Sequence, residues 1–480
     1  MESFDLLVVG GGINGTAIAR DAAGHGQKVL LVEKDDLGQH TSSASSKLIH
    51  GGLRYLEYYE FRLVREALQE REIMLRTAPH IVRPLRFVLP HTEGMRPWWM
   101  VRAGLKLYDL LAWGSSLPGS HKVKPRGSET LISPLKRAAA RRMAIYWDAW
   151  VDDSRLVVLN AVDAAERGAE IATRTELLTA RREGDLWQAE LSGGRRVAAK
   201  AIVNAAGPWV AEVLNQRLCE SSESRVRLIK GSHIAVPRLY EGDHAYILQQ
   251  QDGRVVFALP FDGCTLIGTT DVPVATPEKA VIDADEIAYL CAAANLYFEA
   301  QLGPADVRWS YSGVRSLYDD GAAEAKAVTR DYRLELDDDP GAKLLSVFGG
   351  KITTARALAA EALDRLGIEG RKWTTHTALP GGDIFPAFND YLDRLRLWMP
   401  APMVTRLARA YGTRLKDVLG DATSLDGLGR RFAPGLYECE VRYLVDREFA
   451  RTAEDILWRR TKTGLVASDD EAAALAAYLA

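Results

Sequence analysis

The sequence predicts an α/β fold in three parts: a parallel nucleotide-binding sheet flanked by helices, a second and mostly antiparallel unit, and a helical C-terminal unit. Three observations predict it. A strand, glycine turn, helix and second strand occupy the first residues; period-two segments dominate 225–335; and from about residue 385 the pattern becomes helical. At 480 residues the chain exceeds one compact core, so two or three domains are expected.

The first unit reads from "DLLVVGGGINGTAIARDAAGHGQKVLLVEKDD". Leu6 to Val9 form a continuous apolar run, the mark of a parallel strand buried on both faces. Gly10, Gly12 and Gly15 fit G-x-G-x-x-G, with Asn14 inside the motif. The first glycine permits the turn, the second lets backbone approach a pyrophosphate, and the third lets helix and strand pack closely. The helix N-terminus offers N–H groups and a positive dipole end to that pyrophosphate. Val29 to Val32 make the second strand, and Glu33 at its end, followed by Lys34, is placed to accept from a ribose. Glu33 would repel a 2′-phosphate, so the ligand is NAD or FAD.

"QHTSSASSKLIHGG" then concentrates hydroxyls at Thr41, Ser42, Ser43, Ser45 and Ser46. One account is a polar loop that caps the next helix. The other is a set of donors to cofactor phosphates and a ribityl chain, with Lys47 and Leu48 beside a flavin ring. The loop follows strand two on the cofactor side of the sheet, which favours the second account.

Farther on, 84–91 reads as a strand and 97–113 as a helix. Arg102, Lys106 and Asp109 make a narrow polar stripe on that helix, which otherwise reads as a core element. Trp98, Trp99 and Trp113 would instead anchor an interfacial helix. The stretch from Asp152 reads as helix then strand, and 200–210 as a buried strand entering a Gly-Pro turn. "RLIKGSHIAV", "RVVFALPFDG" and "CTLIGTTD" alternate as antiparallel strands do. "LLSVFGGKITTAR" returns to strand, turn and helix, and "ALPGGDIFP" at 378–386 reads as a linker.

A net charge of −3 gives no pull toward nucleic acid. Cys219, Cys264, Cys291 and Cys439 lie far apart with no metal-ligand spacing, so four reduced thiols and no metal are expected. No basic segment followed by an apolar run opens the chain, so no signal peptide is expected. No apolar stretch reaches the roughly 18–20 residues of a spanning helix, which leaves peripheral membrane contact only.

Taken together, "GGGINGTAIARDAAGHG", "TSSASSKLIHGGLRYLE", "NAAGPWV", "KGSHI", "IGTTD", "SGVRSL" and "GGKITTAR" resemble the FAD-dependent (aerobic, respiratory) glycerol-3-phosphate dehydrogenases, within the D-amino-acid-oxidase-like flavoproteins. The resemblance runs from about 4 to 356 and resumes at "FARTAEDILWRRTKTGL", 449–465. It implies a Rossmann-like FAD-binding domain from 1–90, 150–215 and 340–375, an antiparallel cap over the substrate from 91–149 and 216–339, and a helical domain at 385–480. It implies FAD as cofactor, with Ala206, Gly207 and Trp209 touching it. Implied partners are glycerol 3-phosphate, a membrane quinone, lipid on the cytoplasmic face and a second copy of the chain. The family's "GVRPL" has proline where this chain has Ser316, which is expected to loosen a loop holding Arg315. The family's oxidase branch often carries a long insertion, and none is evident here.

Oxidation of an alcohol by flavin leaves three tasks to side chains. Arginine grips a phosphate dianion best, because its planar fork binds bidentately and keeps its charge; Arg54 and Arg315 are expected there, with the hydroxyls of Tyr55 and Thr270. Gly51-Gly52 lets the chain pass the flavin tightly before Arg54 and Tyr55 project to the substrate. Gly349, Gly350, Lys351, Ile352 and Thr353 bring a helix N-terminus and an ammonium to the flavin's N1/O2 edge, where negative charge develops. A histidine takes the hydroxyl proton, and His50 and His233 both stand in matching motifs. Two other readings are an oxidase of glycerophosphate or amino acids that passes electrons to oxygen, and a flavin-binding scaffold without turnover.

Overall fold

The computed structural model describes residues 2–92, 95–124, 127–218, 226–278, 280–318, 331–338 and 341–480. Cys219 lies outside the described residues; Cys264, Cys291 and Cys439 are free thiols.

Strand β1 spans Glu2–Val9, helix α1 Ile13–Gly24 and strand β2 Val29–Glu33. They sit in an eight-stranded sheet ordered Arg333–Asp337, Lys343–Phe348, Arg196–Asn204, β1, β2 and Glu170–Thr173, with the hairpin Leu177–Leu191 joined to Arg196–Asn204. The pairings of β1 with its two neighbours are parallel. Leu6 and Val8 enter one hydrophobic cluster and Phe4, Leu7 and Val9 another, on the opposite face. Burial on both faces is why the run carries no alternation, and each such side chain contributes roughly 1.5–3 kcal/mol. Helix α1 packs between the helices Asp153–Glu166 and Ala355–Leu366. Gly15 makes this approach possible: a Cβ there would lie 1.9 Å from the Gly10 carbonyl oxygen.

The second sheet has ten strands and is antiparallel except where Ala245–Gln249 meets Val82–Pro90. Val82–Pro90 pairs along its length with Met143–Val151, so it belongs to this sheet, and the expected boundary at residue 90 moves to before residue 82. Conversely, Arg333–Asp337 pairs with Lys343–Phe348 and joins the first sheet rather than the cap. Val82–Pro90 lies inside the sheet, between Ala245–Gln249 and Met143–Val151, partners far away in sequence that local pattern does not report, whereas Arg333–Asp337 is an edge strand paired with the strand that follows it. Arg315 and Ser316 also sit in a strand, Trp309–Tyr318, with Ser316 opposite Leu228. They are not in a loop, and a serine N–H suits a ladder where proline does not.

The helix Trp98–Leu111 buries only Leu105 and Tyr108. Trp99 is 68% exposed, Leu110 61% and Trp113 87%, so the core reading of this segment fails. The C-terminal unit has its own core, including Val404, Leu407, Leu415, Val441, Leu444 and Ile456. The linker is packed rather than loose: Leu379 to Gly382 are buried, Leu379 N–H donates to the Thr77 carbonyl, and Thr413 N–H donates to the Gly381 carbonyl. Among the described residues, no helix is long and apolar enough to cross a membrane.

Candidate functional site

A cavity of about 780 Å³ opens where the glycine turn, the end of β2 and the second sheet meet. The C-terminal ends of parallel strands are where an open α/β sheet leaves such a crevice. Of the expected residues, Gly10, Gly12, Asn14, Glu33, Lys34, Thr41, Ser42, Tyr55, Ala206, Gly207, Trp209, Arg315, Gly350 and Lys351 line it.

At the Glu33 end, Gly11 N–H donates to Glu33 Oε2 at 2.6 Å and Asp35 N–H to Oε1 at 2.9 Å. Burial pushes the Glu33 carboxyl above its ordinary range. His40 Nε2 lies 2.8 Å from Asp35 Oδ2, and its ring packs 4.6 Å from that of Trp209. Lys34 Nζ lies over the other part of this group, 4.3 Å from the Trp209 ring centre. Ser42 Oγ accepts from the Ile13 N–H at 3.0 Å, and Thr41 Oγ1 donates to the Val314 carbonyl at 2.6 Å.

At the other end the polar groups are open. The Lys351 ammonium is buried, has no hydrogen-bond partner among the described residues, and lies 4.2 Å from the Tyr55 ring centre. Asn14 Nδ2 donates to the Gly349 carbonyl at 3.1 Å, while its Oδ1 is buried without a partner among the described residues. Arg315 is held by the Thr270 carbonyl at 3.1 Å and by Asp271 Oδ1 at 2.7 Å. Buried polar atoms without partners are rare, and several facing one cavity mark a ligand site. The Gly-Gly step gets a physical reason too. Gly52 has φ of +73°, and a Cβ there would lie 2.2 Å from the Tyr55 ring, so glycine is needed to fold the turn Leu53–Tyr58 under that ring.

Several expected residues stand outside the cavity wall. Gly15 serves packing, as above. Lys47, at φ of +56°, turns its ammonium into Asp153, 2.8 Å from Oδ1 and 3.0 Å from Oδ2. Asp153 also accepts from the Ser45 hydroxyl, so this part of the serine run braces a helix start. Leu48 is core, opposite Trp150. Ser46 Oγ is 2.9 Å from His233 Nε2. Thr353 is buried and accepts from the His50 N–H; Ile352 opens the same short turn. The Thr270 hydroxyl donates to Glu286 at 2.6 Å and accepts from Ser232 N–H, which commits it to the cap. Arg54 is half-buried beside Tyr55 but does not line the cavity.

Neither histidine lines the wall. His233 is buried, stacks on Tyr311 at 4.8 Å, and leaves Nδ1 without a partner among the described residues. Burial, with the Lys47 and Arg315 cations nearby, pushes it down to about 3. His50 sits 6.3 Å from the Phe257 ring, edge on.

Sequence reasoning missed Thr175 to Leu177, which follow the strand beside β2 and line the cavity. Their position at the end of a parallel strand was the available signal. It also missed Asp271, one residue past Thr270 in "IGTTD", and Arg254, for which no pattern exists.

The residues present fit FAD: a glycine turn at a helix N-terminus, an acidic group closing β2, and an orphan ammonium at the far end of one continuous cavity. Comparison with known proteins agrees. The FAD dependent oxidoreductase family model matches residues 5–356, and the C-terminal domain of alpha-glycerophosphate oxidase matches 372–480. The chain is 51% identical to a D-erythritol 1-phosphate dehydrogenase of Brucella abortus, over 98% of this chain and 97% of that one. It is 51% identical to a glycerol-3-phosphate dehydrogenase of Pseudomonas aeruginosa (100% and 95%) and 48% identical to the aerobic glycerol-3-phosphate dehydrogenase of Escherichia coli (100% and 98%). Among solved structures it is similar to the glycerol-3-phosphate dehydrogenase of Bacillus halodurans complexed with FAD, with a TM-score of 0.73 and 26% identity over 96% of this chain and 86% of that one.

Proposed function

Because this chain belongs to the FAD-dependent oxidoreductase family, with the C-terminal domain of the alpha-glycerophosphate oxidases, we propose that it oxidises sn-glycerol 3-phosphate to dihydroxyacetone phosphate. One observation carries the reading: a buried Lys351 ammonium, without a hydrogen-bond partner among the described residues, and the Arg315 guanidinium share the wall of a cavity that fits FAD. Two cations suit an anionic substrate, and a charge-assisted hydrogen bond to it contributes roughly 1.5–3 kcal/mol.

The flavin, when bound, supplies the hydride acceptor. The chain's own residues bind and orient. Arg315, steadied by Asp271, grips the phosphate, with Arg54 and Tyr55 on the adjoining turn. Lys351 and the Gly349-Gly350 backbone place positive charge where the ring gains negative charge. Acceptance of the hydroxyl proton falls to His50 or, against the burial that holds it down to about 3, to His233, and single-variant pH profiles decide between them.

A quinone in the membrane takes the electrons onward, and the helix Trp98–Leu111 lies in the lipid interface of the cytoplasmic face. The exposed Trp99 and Trp113 support this placement.

The equal identity to a D-erythritol 1-phosphate dehydrogenase supports a second reading, a four-carbon polyol phosphate at the same site. Anaerobic titration of the holoprotein tests both. Glycerol 3-phosphate should bleach the flavin, while glycerol and D-amino acids leave it yellow. Bleaching by D-erythritol 1-phosphate alone would transfer the assignment to the longer substrate, and bleaching by neither would end it. Peroxide release measured with and without a quinone analogue separates dehydrogenase from oxidase.

A further inference from the structure

The segment "FARTAEDILWRRTKTGL" has no part in the wall of the cavity, yet it holds Asp36 and Arg174, close chain neighbours of residues that make it. Asp455–Arg460 forms a single π-helical turn of the C-terminal unit. Two parts of the Glu33 end hang on that turn.

The first is the loop after β2. Asp36 is fully buried. Its Oδ2 accepts from Arg459 Nε at 2.6 Å and Arg460 Nη1 at 2.7 Å, and its Oδ1 from Arg460 Nη2 at 2.8 Å. Two residues later, Gly38 N–H donates to the Gly11 carbonyl at 3.0 Å, and Gly38 and Gln39 line the cavity. The second part is the segment after Glu170–Thr173. Arg174, held at φ of +53°, gives its guanidinium to Asp455 at 2.7 Å and its N–H to the Asp35 carbonyl at 2.9 Å. Thr175 N–H then donates to the Glu33 carbonyl at 2.7 Å. Asp455 and Arg459 are themselves paired at 2.5 Å, so one turn ties both wall segments together.

Among the described residues, Arg459 and Arg460 are the cations paired with Asp36. Without the C-terminal unit in place, a buried carboxylate directly behind the glycine turn loses all three guanidinium contacts, and burial of an unpaired charge is strongly unfavourable. The loop after Glu33, which Gly38 ties to Gly11, must then rearrange. We propose that Arg459 and Arg460 are positioning residues for FAD, so that docking of the C-terminal unit and binding of the cofactor at the Glu33 end are thermodynamically linked. The linkage is reciprocal: what the docked unit gives to FAD affinity, FAD gives to docking. The inference rests on the FAD chemistry of the family and is independent of which polyol phosphate is oxidised.

The test uses the full-length holoprotein, stripped of FAD and titrated back, with flavin fluorescence as the readout. Arg459→Met and Asp36→Asn should each weaken FAD binding by about tenfold or more, within the usual range of coupling between sites. The double variant should bind FAD about as weakly as the worse single, because Asp36→Asn already breaks the Asp36–Arg459 contact that Arg459→Met removes. In the unaltered protein, FAD should slow tryptic cleavage within 372–480 by a similar factor. Arg174→Met provides a gentler break, since that guanidinium is 35% exposed and the fold tolerates its loss; it should weaken FAD binding by roughly threefold or more. Folded single variants that bind FAD within twofold of the parent overturn the proposal. So does cleavage of 372–480 at the same rate with and without FAD.

Discussion

Lys47 and Lys351 lie in the two halves of one fold and have opposite surroundings. Lys47 is fully buried against Asp153, with the Ser43 carbonyl 3.2 Å away, and its neighbours satisfy every charge. Lys351 points its buried ammonium at a tyrosine ring and the cavity, with no hydrogen-bond partner among the described residues. Sequence places both beside the flavin. The difference teaches which buried charge serves stability and which serves chemistry: the satisfied one holds the frame, and the unsatisfied one is left for a ligand.

The strongest way to break this contrast is Asp153→Asn. It strands the Lys47 charge in the interior and should cost about 3–5 kcal/mol of stability in denaturant unfolding. A loss under about 1 kcal/mol would show that water reaches Lys47. Lys351→Met should do the reverse. It should leave the melting temperature nearly unchanged and lower turnover by about 10²–10³-fold, the effect typical of losing one charge-stabilising donor. A large loss of stability with normal turnover would make Lys351 a structural residue and erase the distinction.

Acid sharpens the comparison further. His233 is held down to about 3 against an ordinary 6.5, so the fold keeps it neutral while the unfolded chain takes a proton below 6.5. Its contribution is therefore fully present above pH 6.5 and drains as pH falls from 6.5 toward 3, at about 1.4 kcal/mol per pH unit. His80, also held down to about 3 by burial and Arg155, acts over the same window. His233→Gln should flatten the slope by one proton in urea melts between pH 4 and 6, within the range given by those two values. An unchanged slope would mean His233 is hydrated. The smallest effect belongs to the surface. Replacing Trp99 and Trp113 by serine should shift stability by less than about 0.5 kcal/mol, while sedimentation with anionic vesicles falls several-fold.

The glycine turn, β1, α1, β2 and Glu33 were legible because local spacing dictates them: two-faced burial, close approach and a strand end all act within thirty residues. The pairing of Leu48 and Lys47 was not legible because their partners, Trp150 and Asp153, are about a hundred residues away. Still longer separations, 281 and 424 residues, hid Arg174 and Asp36, whose partners lie in the C-terminal unit. Thr270 shows a subtler limit. Glu286 takes its hydroxyl, and the carboxylate that steadies Arg315 is the next residue, Asp271. The helix Trp98–Leu111 carries an apolar surface that sequence could not orient, because periodicity does not say whether a protein or something else covers it.

The order of the first sheet has a consequence for synthesis. Phe4 pairs with Ala199, and Val203 on that same strand pairs with Leu345. As the chain leaves the ribosome at about 5–20 residues per second, β1 waits roughly 10–40 seconds for its second neighbour. Throughout that interval one edge of a strand whose Leu6–Val9 half is apolar on both faces stays open to other nascent chains. Early β1–β2 pairing and shielding by a chaperone therefore bear on yield more than the stability of the finished molecule does.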